Sequence, residues 1–498
     1  MSKYNFSKSR YCNGIQCPKM LWLKKNMPDE FDDSVMNQAI LSTGNDVGDL
    51  AMGLFGDYTE VPYSESLSEM IPATQKLIDD GVKNICEASF SYDGCFCSVD
   101  ILKNLGGNKV ELYEVKSSTE VKDIYKEDVS YQNFVLSKLG FDVQKVCLVH
   151  INNQYVRHGE LELDKLFKIV DLTDVAKSKL SEVEDNIAKF REYLEQETEP
   201  ECKVGSQCSS PYDCGYWSHC AVDMPEDGEP PTVWSISRLR DKQWYYDNGY
   251  ITFQQLYDAG ILKGNYLQQV EVELKNLPPQ IKPKEVSKFL DTLSYPLYFL
   301  DFETFNPAVP LYDESSPYQQ IVFQYSLHYI EKEGGELKHK ECLAYPGSDP
   351  RRQIAEQLCK DIPLDVCTTA YNMGFEKGKI RDLAALYPDL QDHLMNIHDN
   401  IKDIMIPFQK RWYYTKEMQG SYSIKYVLPA LFPDDPSLNY HNLEGVHNGG
   451  EASNTFLAMQ KMDKDELEKW REHLLRYCEL DTFAMVKVLE KLREVGKC

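Results

Sequence analysis

The stretch that decides the reading of this chain is Cys95-Phe96-Cys97-Ser98-Val99-Asp100-Ile101-Leu102-Lys103-Asn104-Leu105-Gly106-Gly107-Asn108-Lys109-Val110-Glu111-Leu112-Tyr113-Glu114-Val115-Lys116. Two strand-like runs, 95–105 and 110–117, flank Gly106-Gly107 and read as a hairpin. Alternate residues of a strand share a face, so Glu114 and Lys116 point the same way. Asp100 lies near the centre of the first strand, where the hairpin brings it beside Glu114. Two carboxylates and the Val115 carbonyl form a hard oxygen site suited to Mg²⁺ or Mn²⁺. Lys116 is then placed to orient an attacking water or to steady charge developing at phosphorus. The combination reads as a metal-dependent hydrolase.

Outward from the hairpin, a strand is expected over 84–92, carrying Glu87, with a helix over 121–139 and a strand over 143–152 following. The helix includes Ser130-Tyr131-Gln132-Asn133-Phe134. Leu180, Val183, Ile187, Phe190 and Leu194 step by three and four, the apolar stripe of an amphipathic helix that stops before Pro200. Met224-Pro225-Glu226-Asp227-Gly228-Glu229-Pro230-Pro231 reads as a linker. Three segments result: 1–222, a linker and small helical segment over 223–290, and 291–498.

Composition sets the outer limits. The chain has 498 residues, room for about three ordinary domains. Its 42% apolar and 27% charged residues are those of a soluble globular protein. No apolar run suits a membrane span, and Met1-Ser2-Lys3-Tyr4-Asn5-Phe6 has no signal-peptide core, so a cytoplasmic location is expected, with no membrane partner. There the 15 cysteines stay reduced, and their odd count argues for metal or iron-sulfur ligation over a disulfide framework. A net charge of −25 means that a polynucleotide has to be held by local basic patches and by divalent cations in acidic sites.

Cys17 stands near the N-terminus, and Cys208, Cys214 and Cys220 recur at even spacing far downstream. Thiolates select iron-sulfur clusters or zinc, and the tight CxxC pairs frequent in zinc sites are absent here. Cys12 and Cys202 are neighbouring alternates, whereas Cys86, Cys95 and Cys97 read as core.

The order Glu87, Asp100, Glu114-Val115-Lys116, Gln132, with Gln16-Cys17-Pro18-Lys19-Met20-Leu21-Trp22 ahead of it, resembles the RecB-like branch of the PD-(D/E)xK nucleases. Within that branch it is most similar to the Cas-four family, the iron-sulfur nucleases of CRISPR adaptation, and its stand-alone relatives. The resemblance implies a restriction-endonuclease-like α/β fold for 1–222, with Asp100, Glu114, Lys116 and Gln132 catalytic. It further implies metal contacts from Glu87, Asp100, Glu114 and Val115, and a 4Fe-4S cluster on Cys17, Cys208, Cys214 and Cys220. One departure stands out. Relatives carry a metal-binding His in the early helix, where Gly44-Asn45-Asp46-Val47-Gly48-Asp49 offers Gly48, so fewer protein ligands are expected.

The third segment carries a second set. In Leu300-Asp301-Phe302-Glu303-Thr304 two carboxylates share one face of an apolar strand, where unpaired charge is costly and a pair of metal ions relieves it. Strands are expected over 319–331 and 336–344, turning at Gly334-Gly335. Tyr371-Asn372-Met373-Gly374-Phe375-Glu376 reads as a strand-to-helix turn, and Tyr477 and Asp481 fall on one face of the last helix. Asp-x-Glu, Asn-x-x-Phe-Glu and Tyr-x-x-x-Asp, in that order, resemble the motifs of DnaQ-like 3′-to-5′ exonucleases of the tyrosine subtype. That resemblance implies a ribonuclease H-like (DEDDy) fold over 291–498, two metal ions on Asp301, Glu303, Glu376 and Asp481, and a water positioned by Tyr477. Glu376 stands where most relatives have Asp.

The whole pattern, including 420–429, resembles a bacterial family of uncharacterised proteins that fuses these two nuclease domains. The expectation is a dual nuclease acting with Mg²⁺ or Mn²⁺ on nucleic acid, DNA ahead of RNA, single-stranded or with free ends. CRISPR adaptation, phage defence and repair suit that activity, with CRISPR adaptation or defence proteins as partners. Two alternatives stand beside it: an RNA-maturing 3′ exonuclease, and a degraded N-terminal nuclease kept as an iron-sulfur scaffold that binds nucleic acid. Trp412-Tyr413-Tyr414 and 420–426 offer aromatic rings for base stacking or for core packing.

Overall fold

The structure is a computed structural model that describes residues 5–35, 38–221 and 230–497; most of the expected linker, 224–229, lies outside them. The chain is mixed α/β and divides into two compact units, Met1–Val222 with Pro307–Tyr318, and Asp223–Asn306 with Gln319–Cys498.

The first unit is built on a seven-stranded sheet. Its labelled elements are helices α1 (Lys8–Gln16) and α2 (Gln38–Met52), strands β1 (Asn84–Tyr92), β2 (Cys95–Gly106) and β3 (Lys109–Lys116), helix α3 (Asp123–Lys138), strand β4 (Asp142–Ile151) and helix α4 (Leu180–Leu194). β1, β2 and β3 run antiparallel, the β2–β3 turn being made by Gly106, Gly107 and Asn108, all at positive φ. α3 then crosses over to bring β4 parallel to β3. Short strands close the sheet, Thr59–Glu60 beside β1 and Phe167–Asp171 beside β4, while Phe6–Ser7 pairs parallel with β2. Tyr11 of α1 stacks on Tyr131 of α3 with ring centroids 4.9 Å apart, and the Tyr131 hydroxyl donates to the Phe6 carbonyl at 2.7 Å. Gly14 permits the close approach of α1 to α4, since a Cβ there would lie 2.7 Å from the Phe190 ring.

The second unit holds strands β5 (Leu297–Phe305), β6 (Ile321–Ile330), β7 (Leu337–Leu343) and β8 (Cys367–Ala370), helix α5 (Gly374–Leu386), strand β9 (Ile401–Asp403), and helices α6 (Gly449–Ala458) and α7 (Lys464–Gly496). Its sheet runs β7-β6-β5-β8-β9, antiparallel across the first three strands and parallel across the last three. α7 is 33 residues long, and the Asp463 carboxylate caps it by accepting from the Asp465 and Glu466 amides. Its buried residues include Leu474, Tyr477, Cys478, Met485, Leu489 and Leu492, a stripe at helical spacing.

Residues 230–290, expected as a separate small segment, belong to this second unit. Buried Gln269 donates from one amide nitrogen to the Ser235 and Gln419 carbonyls, and Gln280–Ile281 pairs with Tyr413–Tyr414. Tyr413 and Tyr414 are buried, so these two rings are core.

Candidate metal centres and the cysteine cradle

In the first unit the β2–β3 hairpin and α3 bring four of the expected residues together. Glu114 is buried in the C-terminal half of β3. Lys116 donates to Glu114 Oε1 at 2.6 Å, and Gln132 Nε2 donates to Glu114 Oε2 at 2.7 Å. Asp100 Oδ2 accepts from the Val115 amide at 2.6 Å, which fixes it beside the Glu114 side of the hairpin. Glu87 stands on β1 with left-handed backbone and accepts from Ser98 Oγ at 2.9 Å.

Two further residues complete this centre. Lys8, at the start of α1, donates to Glu114 Oε1 at 2.6 Å and stands 3.8 Å from Asp100 Oδ1. Asp128 accepts from Lys116 at 2.7 Å and from Gln132 at 2.9 Å. The four-residue interval from Asp128 to Gln132 was a readable signal, because it sets both on one face of α3. Lys8 lies far from any motif and gave none. Burial alone would raise the Glu114 carboxyl, but the Lys116 and Lys8 ammoniums hold it far below the usual carboxylate range. Burial and the Glu114 charge push Asp100 up to about 7. Burial likewise raises Glu87. Lys8 thus supplies positive charge where Asp100 and Glu114 would share a divalent cation. At Gly48, the position of the departing His, an added Cβ would meet nothing within 4 Å.

The four expected cluster cysteines line one cavity, and Cys202 lines it with them. Cys17 Sγ and Cys202 Sγ are 3.8 Å apart. The chain enters this cradle at the junction of α1 and the following helix Pro18–Asn26, and again through 202–220. Burial raises the Cys17, Cys214 and Cys220 thiols, Cys17 to about 12. Five thiols around one cavity are a donor set that fits an iron-sulfur cluster or zinc. The interval that spaces Cys208, Cys214 and Cys220 also leads back to Cys202, a regularity in the sequence that marks it as a fifth member.

The second unit gathers four carboxylates from three separated stretches. Asp301 and Glu303 project from β5, Glu376 from the first turn of α5, and Asp481 from α7. Burial, then the neighbouring acids, push Asp301 and Glu303 well above their usual range, and burial pushes Asp481 up to about 6 against the hydrogen bonds of Tyr440 and Tyr477 and the charge of Lys425. Burial is also the main cause for Glu376, pushed up to about 8, with Asp403 adding to it. Glu376 Oε2 is buried and has no hydrogen-bond partner among the described residues. Mutual repulsion and an orphaned buried oxygen are relieved by divalent cations, so these residues fit a metal centre.

Sequence reading missed several neighbours here. Tyr440 donates to Asp481 Oδ1 at 2.6 Å, and its ring lies 6.1 Å from that of Tyr477. Tyr477 is buried, and burial and the Asp481 charge raise its hydroxyl strongly. Cys478 can present its sulfur within 4.8 Å of donor oxygens of Asp301 and Glu303. Lys425 offsets part of the negative charge on Glu303 and Asp481. Asp403 accepts from the Asn372 and Met373 amides at 3.0 and 3.3 Å, holding the turn that starts α5 and so aiming Glu376. Gly449, at the start of α6, leaves room beside Glu303, a Cβ there lying 3.5 Å from Oε2.

Residues 298–423 match a family described as "Domain of unknown function (DUF2779)". Among curated proteins the chain is similar to "Uncharacterized protein UU173" of Ureaplasma parvum, 28% identical over 45% of this chain and 35% of that protein. It is also similar to "Uncharacterized protein MG366" of Mycoplasma genitalium (23% over 40% of this chain and 32% of that protein) and to the MG366 homolog of Mycoplasma pneumoniae (27% over 38% and 31%). The match thus spans about a third of the length of these relatives. No solved structure matches the chain.

Proposed function

We propose that this protein is a metal-dependent nuclease whose second unit removes nucleotides from the 3′ ends of nucleic acid. The observation that carries the reading is the convergence of Asp301, Glu303, Glu376 and Asp481 with Tyr477. Burial raises all four acids, and Asp481 and Glu376 add their charge to that at Asp301 and Glu303, with Tyr440 and Lys425 as partial compensation. Such a site is costly to keep unless it holds cations. Two Mg²⁺ or Mn²⁺ ions would be held by these carboxylates and would neutralise charge on the entering and leaving oxygens of an in-line displacement. Tyr477 then holds the attacking water, Tyr440 fixes Asp481, and Asp403 fixes the turn carrying Glu376. The order β7-β6-β5-β8-β9 supports a ribonuclease H-like reading of this sheet. Single-stranded DNA ends are the substrate we favour, with RNA ends as the alternative arm of the test.

For the first unit the same proposal gives Asp100, Glu114, Lys116 and Gln132 a PD-(D/E)xK-type role, with Glu87 and the Val115 carbonyl as further metal contacts. Cys17, Cys208, Cys214 and Cys220 would hold a 4Fe-4S cluster. The Lys8 contact to Glu114 favours a second reading, in which this centre is charge-balanced without metal and the unit binds nucleic acid as an iron-sulfur scaffold.

The deciding assay uses the full chain on 5′-labelled DNA and RNA with Mg²⁺ or Mn²⁺. Asp301→Asn is expected to abolish the 3′-trimming ladder and Lys116→Ala to leave it intact. A ladder unchanged by Asp301→Asn would sink the nuclease reading of the second unit.

A further inference from the structure

Beyond the acidic centre, the same face of the second sheet carries a group that the nuclease reading does not use. His328 on β6 pairs in register with His339 on β7, and the rings stand 4.5 Å apart, centroid to centroid. Glu479 on α7 lies over them, with His339 Nδ1 3.9 Å from its carboxylate. The three side chains can each present a donor atom within 4.8 Å of the other two.

The hydrogen bonds behind the rings fix which nitrogens carry protons. Thr482 Oγ1 donates to the Glu479 backbone carbonyl at 3.1 Å, an oxygen that only accepts. Its lone pairs therefore receive Ser326 Oγ–H at 2.7 Å and His328 Nδ1–H at 2.8 Å. With its proton given to Thr482, Ser326 Oγ accepts from His339 Nε2–H at 2.9 Å. One chain of donation thus leaves His328 Nε2 and His339 Nδ1 as bare lone pairs. In zinc proteins this is the arrangement by which a second hydrogen bond orients each ligating imidazole. Both rings are kept neutral as well: burial lowers His328 to about 4, and burial outweighs Glu479 to lower His339. Burial and Glu479 push Glu341, paired in register with Ser326, upward, so negative charge at this edge is short of a counter-ion.

We propose that His328 Nε2, His339 Nδ1 and the Glu479 carboxylate form a separate site for one transition-metal ion of the zinc class. Two neutral imidazoles and a carboxylate suit zinc and its neighbours and are poor ligands for Mg²⁺, so the site is chemically distinct from the all-carboxylate centre. Three protein ligands leave a position for water. The ion would clamp β6 and β7 to α7, the helix that carries Tyr477 and Asp481. The site stands whether or not the nuclease reading does.

The test is a Co²⁺ titration of the chelator-treated full chain, read by visible absorption. Co²⁺ on thiols shows a sulfur charge-transfer band, and Co²⁺ on nitrogen and oxygen does not, so the cysteine cradle is read separately. Four-coordinate Co²⁺ absorbs strongly and octahedral Co²⁺ on carboxylates only weakly, so the parent and Asp301→Asn are expected to show one equivalent of strong visible absorption without charge transfer. His339→Asn combined with Glu479→Gln, both outside the buried core, should lose it, with affinity down by about a hundredfold or more. Thr482→Val should weaken it by about 10–100-fold, as loss of an outer-shell partner does. Parent-like uptake by the double variant or by Thr482→Val, or loss of uptake in Asp301→Asn, overturns the proposal.

Discussion

The two acidic centres solve the same electrostatic problem in opposite ways. In the first, Glu114 sits between two ammoniums, Lys8 and Lys116, and is held ionised. In the second, Asp301, Glu303, Glu376 and Asp481 face one another and are pushed toward protonation, with Lys425 as a partial offset. A buried carboxylate needs a cation, a proton or an ammonium. The first centre carries its ammonium in the chain, and the second is left to find protons or metal. Motif content alone would have ranked the two as equals.

The largest effect that can break this comparison is on rate. Asp301→Asn removes one charge from the metal-dependent set and is expected to lower 3′ trimming of a 5′-labelled strand by about a hundredfold or more, as loss of one transition-state stabiliser does. Lys116→Ala should leave that ladder unchanged.

Next in size is stability in the first unit. Lys8→Met removes an ammonium from buried Glu114 and should cost about 3 kcal/mol, the low end for breaking a buried pair because the Lys8 side chain keeps 23% exposure. If Lys8 stands in for a divalent ion, Mn²⁺ should restore much of the loss in thermal denaturation. Destabilisation that Mn²⁺ leaves untouched would make Lys8 a fixed part of the fold and favour the scaffold reading.

The pH dependences contributed by Glu114 and by the second-centre acids should have opposite signs, whereas Asp100, pushed up to about 7, follows the second-centre acids. Acids raised in the folded state hold protons that the unfolded chain releases, so their stabilising contribution is full below the ordinary carboxylate range and is lost as pH rises. For Asp481 and Glu376, pushed up to about 6 and about 8, metal-free protein should lose stability on going from about pH 5 to pH 8. Added Mg²⁺ should stabilise more at the upper end, and Glu376→Gln should flatten the slope. Glu114 is depressed, so its contribution is present above the ordinary range and is lost on acidification. Calorimetry across pH reads both trends, and a first unit that loses no stability on acidification below the ordinary carboxylate range would refute the contrast.

The smallest effect separates fixing from holding. Tyr440→Phe deletes the hydroxyl that donates to Asp481 at 2.6 Å and keeps the ring, so trimming should slow by about tenfold, the worth of one charge-assisted hydrogen bond. Tyr477→Phe should slow it more while leaving Mn²⁺ affinity nearly unchanged. Equal losses of metal affinity in both would reassign Tyr477 to the metal site.

How much of this was legible follows from how local each feature is. The strand 84–92 and the stripe from Leu180 to Leu194 could be read because strand alternation and helical stepping are short-range patterns. Asp301, Glu303 and the Tyr477–Asp481 interval were legible for the same reason. Lys8 was invisible, since its contact to Glu114 spans 106 residues and depends on where α1 docks. Tyr440 and Asp403 were hidden too, one in a single 3-10 turn, Tyr440–Asn442, the other at the end of a three-residue strand. The attachment of the small helical segment to the second unit was hidden because the bonds that tie it there, such as Gln269 to the Gln419 carbonyl, are made by single polar side chains without a period.

Pro307–Tyr318 leaves β5 and returns to β6, yet it belongs to the first unit. Ala308, Val309 and Tyr318 pack with Val47, Tyr113 and Val149, and Arg157 Nη1 donates to the Pro310 and Leu311 carbonyls at 3.0 and 3.1 Å. Asp313 accepts from the Gly159 amide at 2.8 Å, and the Tyr318 hydroxyl donates to the Ser117 carbonyl, next to catalytic candidate Lys116. A gene fragment ending at residue 222 therefore encodes a unit with a slot in its core, however natural the boundary looks in the linear text. Dissection of this protein calls for point inactivation in the whole chain, or for a fragment 1–222 supplied with 307–318 as a peptide or a graft.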